Sequence, residues 1–303
     1  MTLLSNNFYS QTHAKWILAG EHSVVQGRSA LVFPLLTKTM ELHYQEGEEL
    51  LSTIFSGENS DVFPSFFKSL LEHGAVLLNH HPQDISGSFK LDNQIPLGEG
   101  LGASAALCLN AARWFVWKKW LKEEQLLTFS RELENLFHGE SSGLDLAGSI
   151  STTGIYFKPG LVQPQIETII PTWSPHWYLS FSGKKAITSF CIQQVKQLHQ
   201  SNPVRAKELD DQMESSVYLA KNALQMSAEQ GLPYLAEAIQ KAYQCFAEWG
   251  LTEGYLEQHI QMLHKAGALA AKPTGSGGGG YVISLWNTPP DSDKLKKMLI
   301  PIE

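Results

Sequence analysis

The sequence predicts an α+β fold in two domains. Apolar patterns typical of strands and of helices are interspersed along the chain, without the strict strand–helix–strand repeat of a doubly wound sheet. The chain has 303 residues, and at about 150 residues per domain this length favours two domains. Four prolines and a glycine cluster within residues 159–175. We therefore expect a first domain over residues 1–165 and a second over 166–303.

In the first domain, apolar runs and period-two alternation predict strands, and apolar residues at helical spacing predict helices. The predicted strands are 15–19, 30–36, 38–44, 86–91 and 155–157. The predicted helices are 63–80, 103–121 and 123–137. Gly139 is a plausible stop for the last helix. A Ser/Gly-rich turn at 139–143 then leads towards the strand at 155–157.

The same patterns in the second domain predict two strands and four helices. The predicted strands are 176–181 and 281–286. The predicted helices are 203–229, 232–248, 253–270 and 291–299. A glycine-rich segment lies between the third helix and the second strand.

Composition excludes several classes of partner. Counting 23 basic and 30 acidic residues gives a net charge of −7, which argues against a general nucleic-acid-binding surface. The three cysteines are far apart and indicate neither a disulfide framework nor a structural zinc site. The sequence has no run of 18 apolar residues and no basic, apolar start. We therefore expect no membrane partner, no secretory leader and a cytoplasmic protein.

Residues 96–106, PLGEGLGASAA, combine alternating glycines with the start of a helix. Glycines let the backbone turn tightly and approach a ligand closely, and a helix start offers N–H donors that suit phosphate. An ordinary strand–helix turn with close packing explains the pattern equally well. The sequence has no Walker A motif.

Residues 274–280, TGSGGGG, contain the spacing G-x-G-x-x-G. A dinucleotide fold requires a strand before this motif and a helix after it, whereas here a helix is predicted before it and a strand after it. The run is short and sits between two regular elements. This favours a tight backbone loop facing a ligand over a flexible linker.

Three charged residues are candidates for chemistry. Glu134 lies at the edge of an apolar helix face, where a carboxylate needs a cation or hydrogen-bond donors. Asp145 follows a flexible turn, and Lys15 starts an apolar strand. Solvated surface charges remain the simpler interpretation of all three residues. Two S-x-x-K matches, at Ser65 and Ser182, have no supporting hydrolase motif and are attributed to chance.

Taken together, three segments resemble the signature motifs of the GHMP kinase family, in the same order. They are AKWILAGEHSVVQGRSAL (14–31), PLGEGLGASAA (96–106) and KPTGSGGGG (272–280). The resemblance implies an ATP-dependent small-molecule kinase that uses Mg²⁺. It also implies a first domain like ribosomal protein S5 domain 2 and a ferredoxin-like second domain.

The resemblance assigns roles to individual positions of this chain. Asp145 matches the catalytic aspartate and Lys15 the lysine of the N-terminal motif. Ser104 and Glu134 match the magnesium ligands. The expected ATP-binding residues are Pro96, Gly98, Glu99, Gly100, Leu101, Gly102, Ala103, Ser104 and Ala105. The expected substrate-binding residues are Lys15, Glu21, His22, Asp145, Gly275, Ser276 and Gly277.

Within the family, GEHSVV (20–25) and HGESSGLDLAGS (138–149) are most similar to the mevalonate kinase branch. This similarity implies mevalonate as the small-molecule substrate and 5-phosphomevalonate as the product; a homodimer is compatible with it. Phosphomevalonate kinase or another kinase of the family is the alternative. A non-catalytic sensor of ATP and a metabolite is a third reading, which the presence of both Asp145 and Lys15 disfavours.

The chain departs from the family's patterns around these residues. The first serine of the ATP loop is replaced, as are the proline before Ser-Gly, the valine after the aspartate and a pair of glycines further on. The residues at these positions are Ala103, Ser141, Gly148, Thr152 and Thr153. Kinase chemistry is therefore the firmer expectation, and the acceptor the weaker one.

Overall fold

The structure is a computed structural model that describes residues 7–139, 141–160 and 163–302. The chain forms two compact units, and each is assembled from separate stretches of sequence. Within the described residues, the first unit comprises 7–14, 34–97 and 102–150. The second comprises 15–33, 98–101 and 151–302. Because these units are interleaved, the boundary at residue 165 stays a prediction.

The described residues contain ten strands and nine α-helices. The strands are β1 (Asn7–Ala19), β2 (Ala30–Leu50), β3 (Ser52–Gly57), β4 (Ser86–Asn93), β5 (Gly154–Lys158), β6 (Gln165–Ile169), β7 (His176–Phe181), β8 (Ala270–Pro273), β9 (Tyr281–Trp286) and β10 (Ile300–Pro301). The helices are α1 (Phe63–Leu77), α2 (Ala103–Trp117), α3 (Leu126–His138), α4 (Leu144–Ile150), α5 (Thr188–Ser201), α6 (Pro203–Ala223), α7 (Ala228–Glu248), α8 (Tyr255–Lys265) and α9 (Asp293–Met298). The mixed content agrees with the predicted α+β class.

The first unit packs helices α1 to α4 with a sheet. Strand β4 pairs in parallel with β3 and antiparallel with residues 40–50 of β2. Helix α2 is apolar on nearly every side, as is typical of a helix in a protein core. Between Ala103 and Phe115 every residue is buried except Ser104 and Arg113. Ser104 is therefore a partly exposed polar residue at the start of a buried helix.

The second unit contains an antiparallel sheet in the order β10-β7-β9-β8. All six residues of β9 are buried, which explains why five of the six residues of its sequence, YVISLW, are apolar. Helix α8 packs on this sheet through Leu256, Ile260 and Leu263, in contact with Val282 of β9. Strand β5 pairs antiparallel with residues 30–32 of β2 and with β6.

Several predicted elements differ from the observed ones. Residues 30–36 and 38–44 belong to one strand, β2, which continues through Thr37 without the predicted break. Residues 144–150 and 188–201 are helical, and β3, β6, β8 and β10 were not predicted. The predicted break at residues 230–231 lies at 224–227 instead. There the side chain of Ser227 accepts a hydrogen bond from the Gln230 N–H at 3.4 Å and starts α7.

Some predictions concern positions outside the described residues. Glu140 of the predicted turn 139–143 is one, and Leu161 and Val162 of the predicted boundary region are others. Residues 1–6, on which the expectation of no leader partly rests, also lie outside. Among the helices that the structure describes, none combines the length and the apolarity needed to cross a membrane.

Candidate active site

The two glycine-rich segments predicted to bind phosphate meet in the second unit. Residues 98–101 lie against the loop 274–280, and backbone hydrogen bonds fix both. The Tyr281 N–H donates to the Glu99 carbonyl at 3.0 Å, and the Ala186 N–H donates to the Gly98 carbonyl at 3.0 Å. The first segment is therefore part of the second unit, although its neighbours in sequence belong to the first.

Two glycines in these segments are required by their contact with each other. Gly100 has φ +89°, and a Cβ there would lie 2.2 Å from the Thr274 carbonyl oxygen. Gly275 has φ +93°, and its Cβ would lie 2.7 Å from the Gly100 Cα. Any side chain would force the two backbones apart. Close packing, one of the two interpretations left open by the sequence, is therefore a sufficient reason for glycine at both positions.

Lys15 is a buried residue inside β1, not an exposed charge at a strand end. Lys15 is 1% exposed, and its Nζ donates to the Gly100 carbonyl at 3.1 Å. Its backbone N–H donates to the Leu101 carbonyl at 3.0 Å. Lys15 is thus connected at two points to the segment predicted to bind ATP.

Glu21 and Lys272 form a buried ion pair in the same unit. They are 3% and 0% exposed, and the Lys272 Nζ lies 2.5 Å from the Glu21 Oε1. Burial raises the pKa of Glu21, and the positive charge of Lys272 opposes that rise. Burial likewise lowers the pKa of Lys272, against the effect of Glu21. The other carboxylate oxygen of Glu21, Oε2, is buried without a hydrogen-bond partner among the described residues.

His22 lies beside this pair in a strained turn. It has φ +60°, a conformation that is uncommon for residues other than glycine. Its Nε2 is 2.9 Å from the Ser276 carbonyl oxygen, and its ring packs edge-on against Phe246 and Trp249. Burial, and to a lesser degree Lys272, lowers the pKa of His22 to about 4. A neutral ring with Nε2 protonated donates to Ser276 and leaves Nδ1 as an acceptor.

The first unit contains the start of α2, which follows Gly102. Gly102 has φ +81°, and its carbonyl accepts the Ala106 N–H at 3.0 Å. The first N–H groups of a helix have no partner within the helix and point towards its N-terminal end. Pro96 and the residues Gly102 to Ala105 also belong to this unit. Of these residues, Ser104 presents a partly exposed hydroxyl.

Glu134 is a buried carboxylate on α3, 2% exposed. Its Oε2 accepts a hydrogen bond from the hydroxyl of Ser141. Burial raises the pKa of the Cys108 thiol, and the negative charge of Glu134 adds to the rise. Ser104 precedes Cys108 by one helical turn and therefore shares its face of α2.

Asp145 lies in the first turn of α4 and is partly exposed. The sequence predicts a turn followed by a strand at this point, so the helix is a correction. The Ala147 N–H donates to the Gly143 carbonyl at 3.0 Å and defines the first turn. Gly143 has φ +81°, a conformation that glycine adopts without strain. The helix gives Asp145 a fixed backbone.

The donors of the first unit suit a magnesium ion. Mg²⁺ prefers oxygen ligands, and in kinases it is held by one or two carboxylates together with phosphate oxygens. Ser104 and Glu134 offer a hydroxyl and a carboxylate. In the part of the chain that the structure describes, no group of three His, Cys, Asp or Glu residues could hold a metal by itself. Such a site would therefore depend on the phosphates of a nucleotide.

Comparisons with known proteins agree with this fold. The model of the GHMP kinase N-terminal domain matches residues 65–153, and that of the GHMP kinase C-terminal domain matches 196–300. A mevalonate kinase of Pyrococcus horikoshii is 25% identical over 300 residues, with 90% of this chain and 86% of that protein covered. A mevalonate kinase of Methanocaldococcus jannaschii is 22% identical over 313 residues, with 95% of each covered.

Solved structures show the same fold. The structure of L. major mevalonate kinase in complex with R-mevalonate superposes with a TM-score of 0.77 at 20% identity, over 97% of this chain and 91% of that one. The fold and the family models together define an ATP-dependent small-molecule kinase. The chain belongs to the GHMP kinase family.

Two residues at the site were not found by sequence reasoning. Lys272 was noted only as the first residue of the segment KPTGSGGGG (272–280). A single lysine in a sequence does not indicate a buried ion pair. Ser141 was noted as a departure from the family's proline, which was the available signal. The contact with Glu134 depends on the path of the chain between α3 and α4, which the sequence does not reveal.

Proposed function

We propose that this kinase transfers the γ-phosphoryl group of ATP to the 5-hydroxyl of mevalonate, giving ADP and 5-phosphomevalonate. The observation that carries the proposal is the similarity to mevalonate kinases, which are 22–25% identical over 90–95% of this chain. The buried residues Lys15 and Glu21 and the half-buried His22 support it. These residues offer donors and acceptors to a small polar acceptor.

We propose that backbone N–H groups hold the nucleotide phosphates. Residues 98–105 supply them at the start of α2, where a helix terminus attracts anions. Loop residues Gly275, Ser276 and Gly277 are proposed to face the acceptor and the transferring phosphoryl group. The mutual contact of Gly100 and Gly275 supports this role, because it makes the two loops one rigid backbone surface.

Ser104 and Glu134 would hold the magnesium ion that accompanies the nucleotide. When bound, Mg²⁺ neutralises the phosphate charge. The chain would contribute a hydroxyl and a buried carboxylate to that site. The contact from Ser141 supports the assignment, because it fixes the orientation of Glu134.

Asp145 and Lys15 are proposed to act on the acceptor. The acceptor oxygen forms a bond to the γ-phosphorus while the bond to the ADP oxygen breaks, and the hydroxyl proton passes to Asp145. Lys15 stabilises the negative charge that develops on the transferred group. Phosphoryl transfer needs positioning and charge stabilisation more than covalent chemistry, and these residues provide both.

A coupled assay of ADP release tests the proposal with four acceptors: mevalonate, phosphomevalonate, homoserine and galactose. We expect turnover with mevalonate at a kcat/KM at least tenfold above the others, and ³¹P NMR should identify a phosphomonoester on the 5-oxygen. Preference for phosphomevalonate would contradict the proposal. That acceptor needs additional cations, and Lys185 already lies 3.6 Å from Glu99.

Binding measurements separate the enzyme from a sensor. Calorimetry with ATP and with mevalonate should show binding of both by a protein that also turns over. Tight binding of ATP and a small acid, with no phosphorylated product from any of the four acceptors, would make the protein a metabolite sensor.

A further inference from the structure

The Ser141 hydroxyl donates one hydrogen bond and accepts another. The Gly143 N–H donates to the Ser141 Oγ at 3.0 Å, and the Oγ itself donates to the Glu134 Oε2. A hydroxyl has one proton and two lone pairs. Because one lone pair is engaged by Gly143, the proton is directed at the carboxylate. Glu134 is thus oriented by a neutral donor whose own direction is fixed.

The backbone of Ser141 is anchored to the helix that carries Glu134. Its N–H donates to the Asn135 Oδ1 at 2.7 Å, and its carbonyl accepts from the Arg131 Nε at 2.7 Å. Three residues of α3 therefore contact Ser141. The residue is also buried, with 8% of its surface exposed. An anchored serine holds its hydroxyl in place at little entropic cost, because the main chain is already ordered.

The same hydroxyl connects Glu134 to the helix of Asp145. Gly143, whose N–H bonds to Ser141, has the carbonyl that accepts the first hydrogen bond of α4. Asp145 lies in the first turn of that helix. A continuous path of hydrogen bonds thus runs from Glu134 through Ser141 and Gly143 to the backbone of α4.

We propose that Ser141 is a positioning residue that fixes the Glu134 carboxylate and the start of α4 in one geometry. The inference rests on the proposed function, in which Glu134 holds the metal and Asp145 acts on the acceptor. The family motif has proline at this position, and proline has neither a hydroxyl nor an N–H to make these contacts. Ser141 is therefore this chain's own means of orienting the metal ligand.

The first test measures metal binding without any reaction. Mn²⁺ replaces Mg²⁺, a non-hydrolysable ATP analogue replaces ATP, and electron paramagnetic resonance reports free Mn²⁺. We expect S141A to weaken Mn²⁺ binding to the nucleotide complex by about 10- to 100-fold, the range for losing a partner that orients a ligand. S141T, which keeps the hydroxyl, should restore binding to within about threefold of wild type.

The matched control is S130A. Ser130 is a fully buried serine on α3, and its hydroxyl donates to the Leu126 carbonyl at 2.7 Å. The change removes the same atom from the same helix without touching Glu134, so Mn²⁺ binding should stay within about twofold of wild type. Equal losses in S141A and S130A would overturn the proposal.

A double-mutant cycle with E134Q tests whether S141A weakens Mn²⁺ binding through Glu134. If Ser141 acts through Glu134, then S141A should add nothing to the loss already caused by E134Q. Additive losses would show that Ser141 acts elsewhere. Should S141A fold poorly, S141C keeps the shape with a weaker donor, and its Mn²⁺ binding should fall between those of S141T and E134Q.

Hydrogen exchange of the metal-free protein tests the second half of the proposal. Amides of α4 should exchange faster in S141A than in S130A, and unchanged exchange there would remove α4 from the proposal. Neither measurement uses an acceptor. A wrong assignment of mevalonate would therefore leave both results intact, whereas wild-type Mn²⁺ binding by S141A would overturn the role of Ser141 alone.

Discussion

Glu21 and Glu134 are buried glutamates in different compact units, and each bonds to a side-chain donor of a different charge. Glu21 is 3% exposed and pairs with the ammonium group of Lys272, which is also buried. Glu134 is 2% exposed and accepts a hydrogen bond from the neutral hydroxyl of Ser141. Both residues are glutamates with nearly the same exposure, but the Lys272 donor is charged whereas the Ser141 donor is neutral.

The difference separates two uses of a buried carboxylate. An ion pair with lysine satisfies the charge of Glu21 inside the protein, and burying such a pair rarely adds much net stability. A serine hydroxyl orients Glu134 without contributing an opposite charge. The negative charge of Glu134 is felt by the neighbouring Cys108, whose pKa it helps to raise. This difference is compatible with the roles proposed for the two residues, in which Glu21 contacts the acceptor and Glu134 holds a magnesium ion.

The largest expected effect concerns a third carboxylate, Asp145, which is partly exposed instead of buried. D145N keeps the shape and removes the proton acceptor. We expect kcat with mevalonate to fall by about 10²- to 10⁴-fold, the range for general-base and orientation effects. The Kd for the Mg²⁺–ATP complex should change by no more than a few-fold, because the interaction acts mainly in the transition state.

Steady-state kinetics and calorimetry on the same preparation check this expectation. An unchanged kcat would make Asp145 a structural residue. A loss of ATP binding equal to the loss of rate would place it in the nucleotide site, and the contrast with the buried glutamates would then fail.

The next effect is on stability and tests the ion pair. K272M leaves the Glu21 carboxylate buried without its cation, which typically costs about 3–5 kcal/mol in the free energy of unfolding. The control is K68M, because the Lys68 and Glu72 side chains are 66% and 46% exposed and form a surface ion pair at 3.9 Å. That change should cost no more than about 1 kcal/mol. Urea denaturation measures both.

The double variant E21Q/K272M strengthens this test. Removing both charges leaves no isolated buried ion, so it should recover part of the stability that K272M loses. If K272M is as stable as K68M, or if the double variant is no more stable than K272M, the buried pair does not carry the charge balance assigned to it.

A third and smaller effect separates the two glutamates by function. We expect E134Q to raise the Mg²⁺ concentration needed for half-maximal rate, or to lower the rate, by about 10- to 100-fold. E21Q should instead raise the KM for mevalonate, with the magnesium requirement unchanged within about twofold. Magnesium titrations at saturating ATP and mevalonate titrations at saturating Mg²⁺ distinguish them. Equal shifts in both titrations for both variants would remove the functional distinction.

Part of this molecule could be predicted from its sequence. The buried strand β9 and the mostly apolar helix α2 were recognisable because burial on nearly every side leaves a mostly apolar stretch of sequence. Glu134 was singled out by the family motif, because its position at the edge of an apolar face was explained more simply by a solvated surface charge. The α+β class followed from the interspersed elements, and the family from its three motifs.

Other features depend on contacts that are distant in sequence. Lys15 was expected to be an exposed end charge in the absence of the family motif, because its carbonyl partner is Gly100, 85 residues away. Position 100 requires glycine because a side chain there would clash with the Thr274 carbonyl, and Thr274 belongs to another motif. Helix α4 is only seven residues long, which is too short for a periodic signal.

The smallest effect at neutral pH concerns His22, which shares its surroundings with the ion pair. Its pKa in the folded protein is about 4, because burial and the charge of Lys272 disfavour its protonated form. The ordinary value of 6.5 applies to the unfolded chain. Between pH 6.5 and about 4, His22 is therefore mostly protonated in the unfolded chain and mostly neutral in the folded protein. Stability contributed by neutral His22 is complete above pH 6.5 and is lost as the pH falls towards 4.

H22Q isolates this contribution from the titration of Glu21, whose raised pKa acts in the opposite direction. A glutamine amide can still donate to the Ser276 carbonyl but does not titrate. The free energy of unfolding of wild type should fall relative to H22Q between pH 6.5 and 4, by at most about 1.4 kcal/mol per pH unit. At pH 7 and above the difference between the two should not vary with pH. Parallel stability curves from pH 7 to pH 4 would show that His22 protonates freely in the fold, and that Lys272 and burial do not keep it neutral.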